Sequence, residues 1–152
     1  MRHLRIQEHI EAPIEHVWDL NASCERIPEW NVSVVEVKEC SGRLDQVGAK
    51  ATTVAQVMGR RIEGQQETTR ADRPRVMEQR LTGTGGATAT FALTLAESKG
   101  GTDVTVEADY ELPMGPFAGI AERILHGSID RSFRQSMENF KALAEATVPA
   151  HA

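Results

Sequence analysis

No apolar run in this chain approaches the roughly 18 residues that a membrane-crossing helix needs, so no membrane span is expected. Basic residues are outnumbered, 17 Lys and Arg against 22 Asp and Glu, for a formal charge of −5. That balance argues against nucleic acid or an anionic membrane as partner, because both reward basic patches. Cysteine is nearly absent. Cys24 and Cys40 make no disulfide framework and do not cluster with histidine as a zinc site would. They read as two reduced thiols of a cytoplasmic protein. Met1-Arg2-His3-Leu4-Arg5 is not followed by an apolar signal region. There is no Ser-His-Asp signature and no His-Glu-x-x-His, which removes support for hydrolase and metalloenzyme readings. No metal and no cofactor are expected. Repeats and low-complexity segments are missing too, and 152 residues suffice for one domain with a core of its own.

What is present is a change of hydrophobic period. From about Arg2 to Leu112, apolar and polar residues mostly alternate, as in strands. From Pro116 to Ala146 the apolar residues recur at spacings of three and four: Phe117, Ile120, Ala121, Ile124, Leu125, Ile129, Phe133, Met137, Phe140, Leu143 and Ala144. This predicts one amphipathic helix of about 30 residues and about 45 Å. Such a helix must bury its stripe, and only the preceding sheet is large enough. A strongly curved sheet gripping a long helix leaves a cavity between them, and function is expected there.

Along the strand region, Leu4, Ile6 and Ile10 share one face of the first strand, with Glu8 on that same face. Pro13 suits the first turn of a short helix bearing Ile14, Val17, Trp18 and Leu20. Ser23 before Cys24-Glu25-Arg26 reads as the N-cap of a second short helix, which ends before Pro28-Glu29-Trp30-Asn31. Six strands follow: Val32 to Cys40, Ala49 to Met58, Arg61 to Arg70, Arg75 to Leu81, Ala87 to Ala96, and the alternation from Val104 to Leu112. Short turns between them predict an antiparallel meander. Pro113-Met114-Gly115-Pro116 breaks the last strand and opens the helix, and the tail from Thr147 to Ala152 reads as frayed.

The segment Ile10-Glu11-Ala12-Pro13-Ile14-Glu15-His16-Val17-Trp18-Asp19-Leu20 resembles the strand-to-helix junction of the START-like, birch-pollen-allergen superfamily (SRPBCC). There an apolar strand leads into Ala-Pro and a helix carrying Val-Trp. Pro28-Glu29-Trp30-Asn31 resembles the end of the second short helix of that superfamily, and the long final helix matches a third landmark. Together they cover nearly the whole chain, which is most similar to the bacterial polyketide cyclase/dehydrase-like group. The resemblance implies an α+β helix-grip fold. A seven-stranded curved antiparallel sheet wraps around a long C-terminal helix, with two short helices after strand one, in a single domain over residues 1–152. It also implies a deep, largely apolar cavity for a small hydrophobic or aromatic molecule. Fold alone does not assign function.

Several residues are candidates for chemistry. Glu78 and Arg80 share a face of the fifth strand and would place an acid and a base beside a ligand if that face is inward; Met77 and Leu81, on the other parity, compete for the same side. Gln66 and Thr68 share parity with Ile62 and offer neutral hydrogen-bonding groups of the kind that orient apolar ligands. Tyr110 is the only tyrosine and lies on the apolar face of the last strand, either as donor to a ligand carbonyl or as a satisfied core residue. Glu8 reads as a buried carboxyl suited to a general base, or as a paired edge residue. His126 flanks the helix stripe and could move protons, or be solvated. Gly127 costs the helix about 1 kcal/mol relative to alanine, which marks a kink or a close approach to the sheet. Asp130 and Arg134 read as a surface pair. The expected ligand-binding lining also takes Phe91, Leu93, Val106 and Ala108 from the sheet, with Ile124, Leu125, Ser128 and Ile129 from the helix. The loop Gly83-Thr84-Gly85-Gly86 joins two strands with no following Lys-Ser or Lys-Thr, so it does not read as a phosphate loop.

Three readings of function stand. One is a cyclase or dehydratase-type enzyme on poly-β-carbonyl chains, with catalysis by Arg80, Glu78, Tyr110 or His126. Another is a non-catalytic carrier or sensor of a lipid or apolar metabolite. The third is a stress-response or regulatory module that binds another protein, which needs a large exposed apolar patch. In each the protein is a monomer or homodimer. Strand five discriminates the first two: Glu78 and Arg80 inward favours the enzyme, Met77 and Leu81 inward favours the carrier.

Overall fold

A computed structural model describes residues 2–57, 59–111 and 120–149, and only the backbone of residues 57 and 120–122. Its elements are β1 (Arg2–Ile10), α1 (Ile14–Ala22), a 3-10 turn (Cys24–Arg26), α2 (Ile27–Trp30), β2 (Val34–Cys40), β3 (Lys50–Val57), β4 (Arg60–Asp72), β5 (Val76–Gly83), β6 (Thr88–Ser98), β7 (Gly101–Glu111) and α3 (Ile120–Ala146). The strands form one antiparallel sheet in the order β1-β7-β6-β5-β4-β3-β2. This is the α+β helix-grip arrangement. From β2 to β7 consecutive strands pair as hairpins, and β1 pairs with the last strand, so β1 and β2 are the two edges. The Pro113–Pro116 break and the first residues of the predicted helix, with Phe117, lie outside the described residues.

Local chemistry accounts for the elements. Pro13 stands at the N-cap of α1 in extended conformation, and its carbonyl accepts from the amides of His16 and Val17. The buried face of α1 is Ile14, Val17, Trp18 and Leu20. Ser23 does precede the 3-10 turn but does not cap it. Its hydroxyl donates to the Asp19 carbonyl at 2.8 Å, one turn back along α1. The β5–β6 loop turns on Gly85 and Gly86, whose φ angles of 84° and 93° favour glycine. Register shifts in β2 and between Thr68 and Arg70 of β4 insert extra residues, a bulge that bends a sheet. Beyond that bulge the inward parity of β4 moves from even to odd, so Ala71 lies opposite Met77.

The two cysteines correct the expectation of separate reduced thiols. Cys24 and Cys40 are joined as a disulfide, their Cα atoms 6.1 Å apart. The chain brings them together because Ser23 bridges to Arg43 and the Leu44 amide donates to the Ala22 carbonyl, drawing the end of β2 against the 3-10 turn. A sequence separation of 16 hid that proximity.

The main core joins α1, β1, β6 and β7 to the C-terminal half of α3. Ile10, Val17, Trp18, Leu95 and Val104 pack with Met137, Phe140 and Ala144. Two expectations about α3 change. Gly127 is no contact point with the sheet, since a Cβ there would meet only the flexible Arg131 side chain, and the helix is continuous through it. Asp130 pairs with Arg2 of β1, Oδ2 to Nη2 at 2.7 Å. Of the two readings of Glu8 on β1, the structure has the paired edge residue: it is one-third exposed and held by Lys141 of α3 at 3.2 Å. Among the described residues, no helix is long and apolar enough to cross a membrane.

Gly101, at the start of β7, is buried where a Cβ would lie 2.5 Å from the Ile10 carbonyl oxygen and 2.9 Å from His9 Nε2. Backbone cannot yield as a side chain can. Gly101→Ala is expected to lower unfolding stability by about 1–3 kcal/mol, as overpacking does. A urea midpoint equal to that of the native chain would contradict this packing.

Candidate functional site

The concave face of the sheet and α3 enclose a cavity of about 380 Å³. Strand alternation supplies its floor: Ile62, Gly64 and Gln66 from β4, Met77, Gln79 and Leu81 from β5, Ala89, Phe91 and Leu93 from β6, and Val104, Val106, Ala108 and Tyr110 from β7. Helical spacing supplies the roof: Ser128, Ile129, Ser132, Phe133, Ser136, Met137 and Phe140, two residues per turn of α3. Ile27 and Trp30 of α2 border one side. Phe91 stacks over Phe133 at 6.2 Å between ring centres, joining floor to roof. No Asp, Glu, Lys, Arg or His is among the described residues that line the cavity.

Strand five resolves against the acid–base pair. Met77, Gln79 and Leu81 face the cavity, with Met77 buried. Glu78 and Arg80 lie on the outer face, where Glu78 faces Arg70 and Arg80 faces Glu67, each at 3.8 Å. Outward is where two charges on a half-buried strand keep their water. Thr68 is also off the lining. It is fully buried and donates to the Leu44 carbonyl at 2.6 Å, as a structural tie to the loop before β3. Ile124 and Leu125 stand one turn before Ser128 and Ile129 on the same stripe, but neither lines the cavity, and Ile124 is half exposed. Gln66, Phe91, Leu93, Val106, Ala108, Tyr110, Ser128 and Ile129 do line it.

The polar groups of the wall are neutral. Gln66 Nε2 donates to Gln79 Oε1 at 3.4 Å, and Gln79 Nε2 donates to Thr68 Oγ1 at 3.2 Å, a short relay along the floor. In the roof, Ser136 Oγ accepts from the Val32 amide at 3.1 Å. The Tyr110 hydroxyl lies 2.8 Å from His126 Nδ1, with the rings 5.4 Å apart. It donates when that nitrogen is bare and accepts when the nitrogen carries the proton. His126 thus reaches the cavity through Tyr110 rather than by lining it. Sequence reasoning missed Gln79, Trp30, Ser132 and Ser136 as wall residues. The parity of Met77 and Leu81 would have found Gln79, and the stripe spacing from Ser128 would have found both serines. Among the described residues, no group of three or more His, Cys, Asp or Glu side chains is placed to hold a metal ion.

Burial pushes the Tyr110 hydroxyl above the ordinary tyrosine pKa; the Asp130 carboxylate adds to this and Arg2 opposes it. The phenol is therefore a neutral hydrogen-bonding group throughout the physiological range. A phenol whose pKa is raised by folding contributes stability below its unfolded value, near 10, and loses it as pH rises through the folded value. Because Tyr110 is the only tyrosine, ultraviolet titration of phenolate reads it alone. The expected midpoint in the native protein lies above that of the urea-unfolded chain, and coincident midpoints would contradict the burial.

Known proteins place this geometry. No protein with a curated description matches the sequence. Among solved structures, one from Thermus thermophilus is similar with a TM-score of 0.79 at 18% identity, covering 97% of this chain and 100% of its own. A conserved protein from Geobacillus kaustophilus gives 0.79 at 16% identity, covering 96% and 97%. A major latex-like protein from Panax ginseng gives 0.65 at 13%, covering 94% and 97%. At such identities the likeness is one of fold. The family described as "Polyketide cyclase / dehydrase and lipid transport" matches residues 1–145, from β1 almost to the end of α3. The chain belongs to that family, within the START-like, birch-pollen-allergen superfamily.

Proposed function

We propose that this chain binds a small, uncharged, hydrophobic or aromatic molecule in the cavity between the sheet and α3, as a carrier or sensor. The observation that carries this reading is the absence of any Asp, Glu, Lys, Arg or His side chain from the described lining. A carboxylate or ammonium moved into such a site loses its hydration and gains no counter-charge, which no apolar contact offsets. A neutral molecule with one or two oxygen functions meets apolar walls and a few amides and hydroxyls, the usual composition of a small-molecule site, and about 380 Å³ is within the usual size range. The family description, which joins cyclase or dehydrase activity with lipid transport, supports an apolar ligand in either role.

Tyr110 and His126 favour a second reading, cyclisation or dehydration of a poly-β-carbonyl chain. A hydroxyl in the cavity wall, within hydrogen-bond reach of an imidazole, can polarise a carbonyl while the ring takes or returns a proton. The apolar, partly open cavity would fold the flexible chain and hold its reacting groups together. Glu78 and Arg80 have no part in it. A protein-binding role has less support: the large exposed apolar residues among those described are Val32, Val35, Val47 and Ile124, divided between β2 with the loop before it, the loop before β3, and α3.

Binding is tested with N-phenylnaphthylamine, an uncharged dye that brightens in apolar surroundings. Saturable binding is expected, with anilinonaphthalenesulfonate, its anionic counterpart, bound more weakly. Ser132→Trp sets a large ring into the roof and is expected to weaken binding at least about tenfold, or about 1.4 kcal/mol. Equal binding by the native and Ser132→Trp proteins would remove the cavity from consideration. Tyr110→Phe separates the two readings: a carrier keeps its function, whereas an enzyme retains binding and loses turnover.

A further inference from the structure

Thr68, Gln79 and Gln66 form a chain of hydrogen bonds with a fixed direction. In the β4–β5 register Thr68 lies opposite Gln79, and Gln66 stands on the same face of β4 as Thr68. The chain starts at the Leu44 carbonyl, in a residue held by its amide, which donates to the Ala22 carbonyl at 2.8 Å. A carbonyl only accepts, so the Thr68 hydroxyl gives its one hydrogen to it, at 2.6 Å. Thr68 Oγ1 is left as an acceptor, which turns the Gln79 amide nitrogen toward it, at 3.2 Å. Gln79 Oε1 then faces the Gln66 amide nitrogen, at 3.4 Å. Reversing either amide would set two oxygens face to face.

That direction decides what Gln66 shows to the cavity. Its nitrogen is committed to Gln79, and its Oε1, on the other arm of the amide, has no donor among the described residues. Two side-chain polar atoms among the described residues are buried without a partner, Trp30 Nε1 and Asp130 Oδ1, and Gln66 Oε1 is not one of them. Gln66 is only partly buried, and its inward parity turns the open side to the cavity that the residue lines. When an apolar ligand displaces water from that space, the oxygen costs free energy unless the ligand supplies a hydrogen. We infer that Gln66 is the specificity-determining residue of the cavity, its Oε1 accepting from a hydroxyl of an uncharged ligand. The ligand class is thereby narrowed to alcohols and phenols, in preference to hydrocarbons of the same shape. Protonated amines, the other common donors, find no Asp or Glu in the described lining. Thr68 and Gln79 are positioning residues, which fix the arm of the Gln66 amide that is presented. This rests on the cavity being a ligand site. Discrimination follows from the rule that a site with a buried polar group rejects the analogue that leaves it unpaired.

The test compares naphthol with methylnaphthalene substituted at the same ring position, two flat molecules that differ by a hydroxyl against a methyl group and are uncharged near neutral pH. Gln66→Met keeps the length of the side chain and removes the acceptor. It is expected to lower the ratio of naphthol to methylnaphthalene affinity about fivefold or more, with methylnaphthalene still bound. Thr68→Val leaves Gln66 in place but frees Gln79 to reverse, and is expected to lower the ratio part of the way. Thr68→Ser keeps the hydroxyl and is expected to keep the native ratio. Carbon-13 spectra of the native protein give a second readout that needs no variant. The Gln66 carboxamide carbon, assigned from backbone connectivities, is expected to move downfield with naphthol and not with methylnaphthalene. An unchanged ratio in Gln66→Met with no difference at that carbon overturns the inference and leaves the ligand site standing. A ratio that falls in Tyr110→Phe and not in Gln66→Met overturns it in favour of the phenol. A ratio that falls in Gln66→Met and holds in Thr68→Val overturns the positioning role. Binding of neither compound removes the proposed function itself.

Discussion

Met137, Phe140 and Ala144 of α3, packed on Ile10, Val17, Trp18, Leu95 and Val104, form the contact on which the remaining geometry depends. A straight helix cannot follow a curved sheet along its whole length. Where α3 touches, at its C-terminal half, it closes a dense core with α1 as the third wall. Toward its N-terminal end the sheet bends away, helped by the bulges of β2 and β4, and the gap is the cavity. One stripe of apolar residues therefore serves two purposes. Its last turns hold the fold together, and the stretch from Ser128 to Phe140 also faces open space, bridged to the floor by Phe133 on Phe91.

The same alternation that floors the cavity sorts charge. Strand positions facing outward carry cross-strand pairs such as Arg5 with Glu107, Lys38 with Glu63, Arg61 with Glu36 and Arg80 with Glu67. Each is solvated and contributes little to stability. Their importance is in where they are not: the inner parity is left to aliphatic, aromatic and amide side chains. At one end of the sheet, Arg43 and Arg73 gather Asp19, Asp45 and Glu15, tying the loop before β3 and the β4–β5 turn to α1. Within that group Arg43 holds the Asp45 carboxyl below its ordinary pKa, and burial works against it. The Trp18 indole assists from the core side, so the ionic clamp and the hydrophobic core meet at Asp45.

Hydrophobic period was enough to read the fold, because strands and one long helix differ in the most robust local signal a chain carries. Strand order and the α1–α2 interlude followed from short turns and from Ala12-Pro13. The site was legible where parity was unambiguous, as in β6 and β7, whose apolar residues alternate cleanly. In β5 it was not: Met77, Glu78, Gln79, Arg80 and Leu81 present a mixed pattern, and only the register to β4 and β6 decides the face. Thr68 shared its parity with Gln66, yet the bulge that follows it turns the strand, and the Leu44 carbonyl takes its hydroxyl. Cys24 and Cys40, like Trp30 and its neighbours on α3, come together through long-range packing that no local window records.

Ser128, Ser132 and Ser136 stand four residues apart on the cavity side of α3, one hydroxyl per turn. A serine in a helix can rest its proton on the carbonyl one turn back and release it to an incoming acceptor by a single bond rotation. The roof therefore resembles a row of independent rotors spaced about 6 Å apart along the helix axis, at 1.5 Å per residue. For the proposed ligand, Ser128 and Ser132 would offer hydroxyls one turn apart, while Ser136 already accepts from the Val32 amide. Under the proposed function, such a row of hydroxyls would tolerate changes in ligand length along α3 better than changes in width across it.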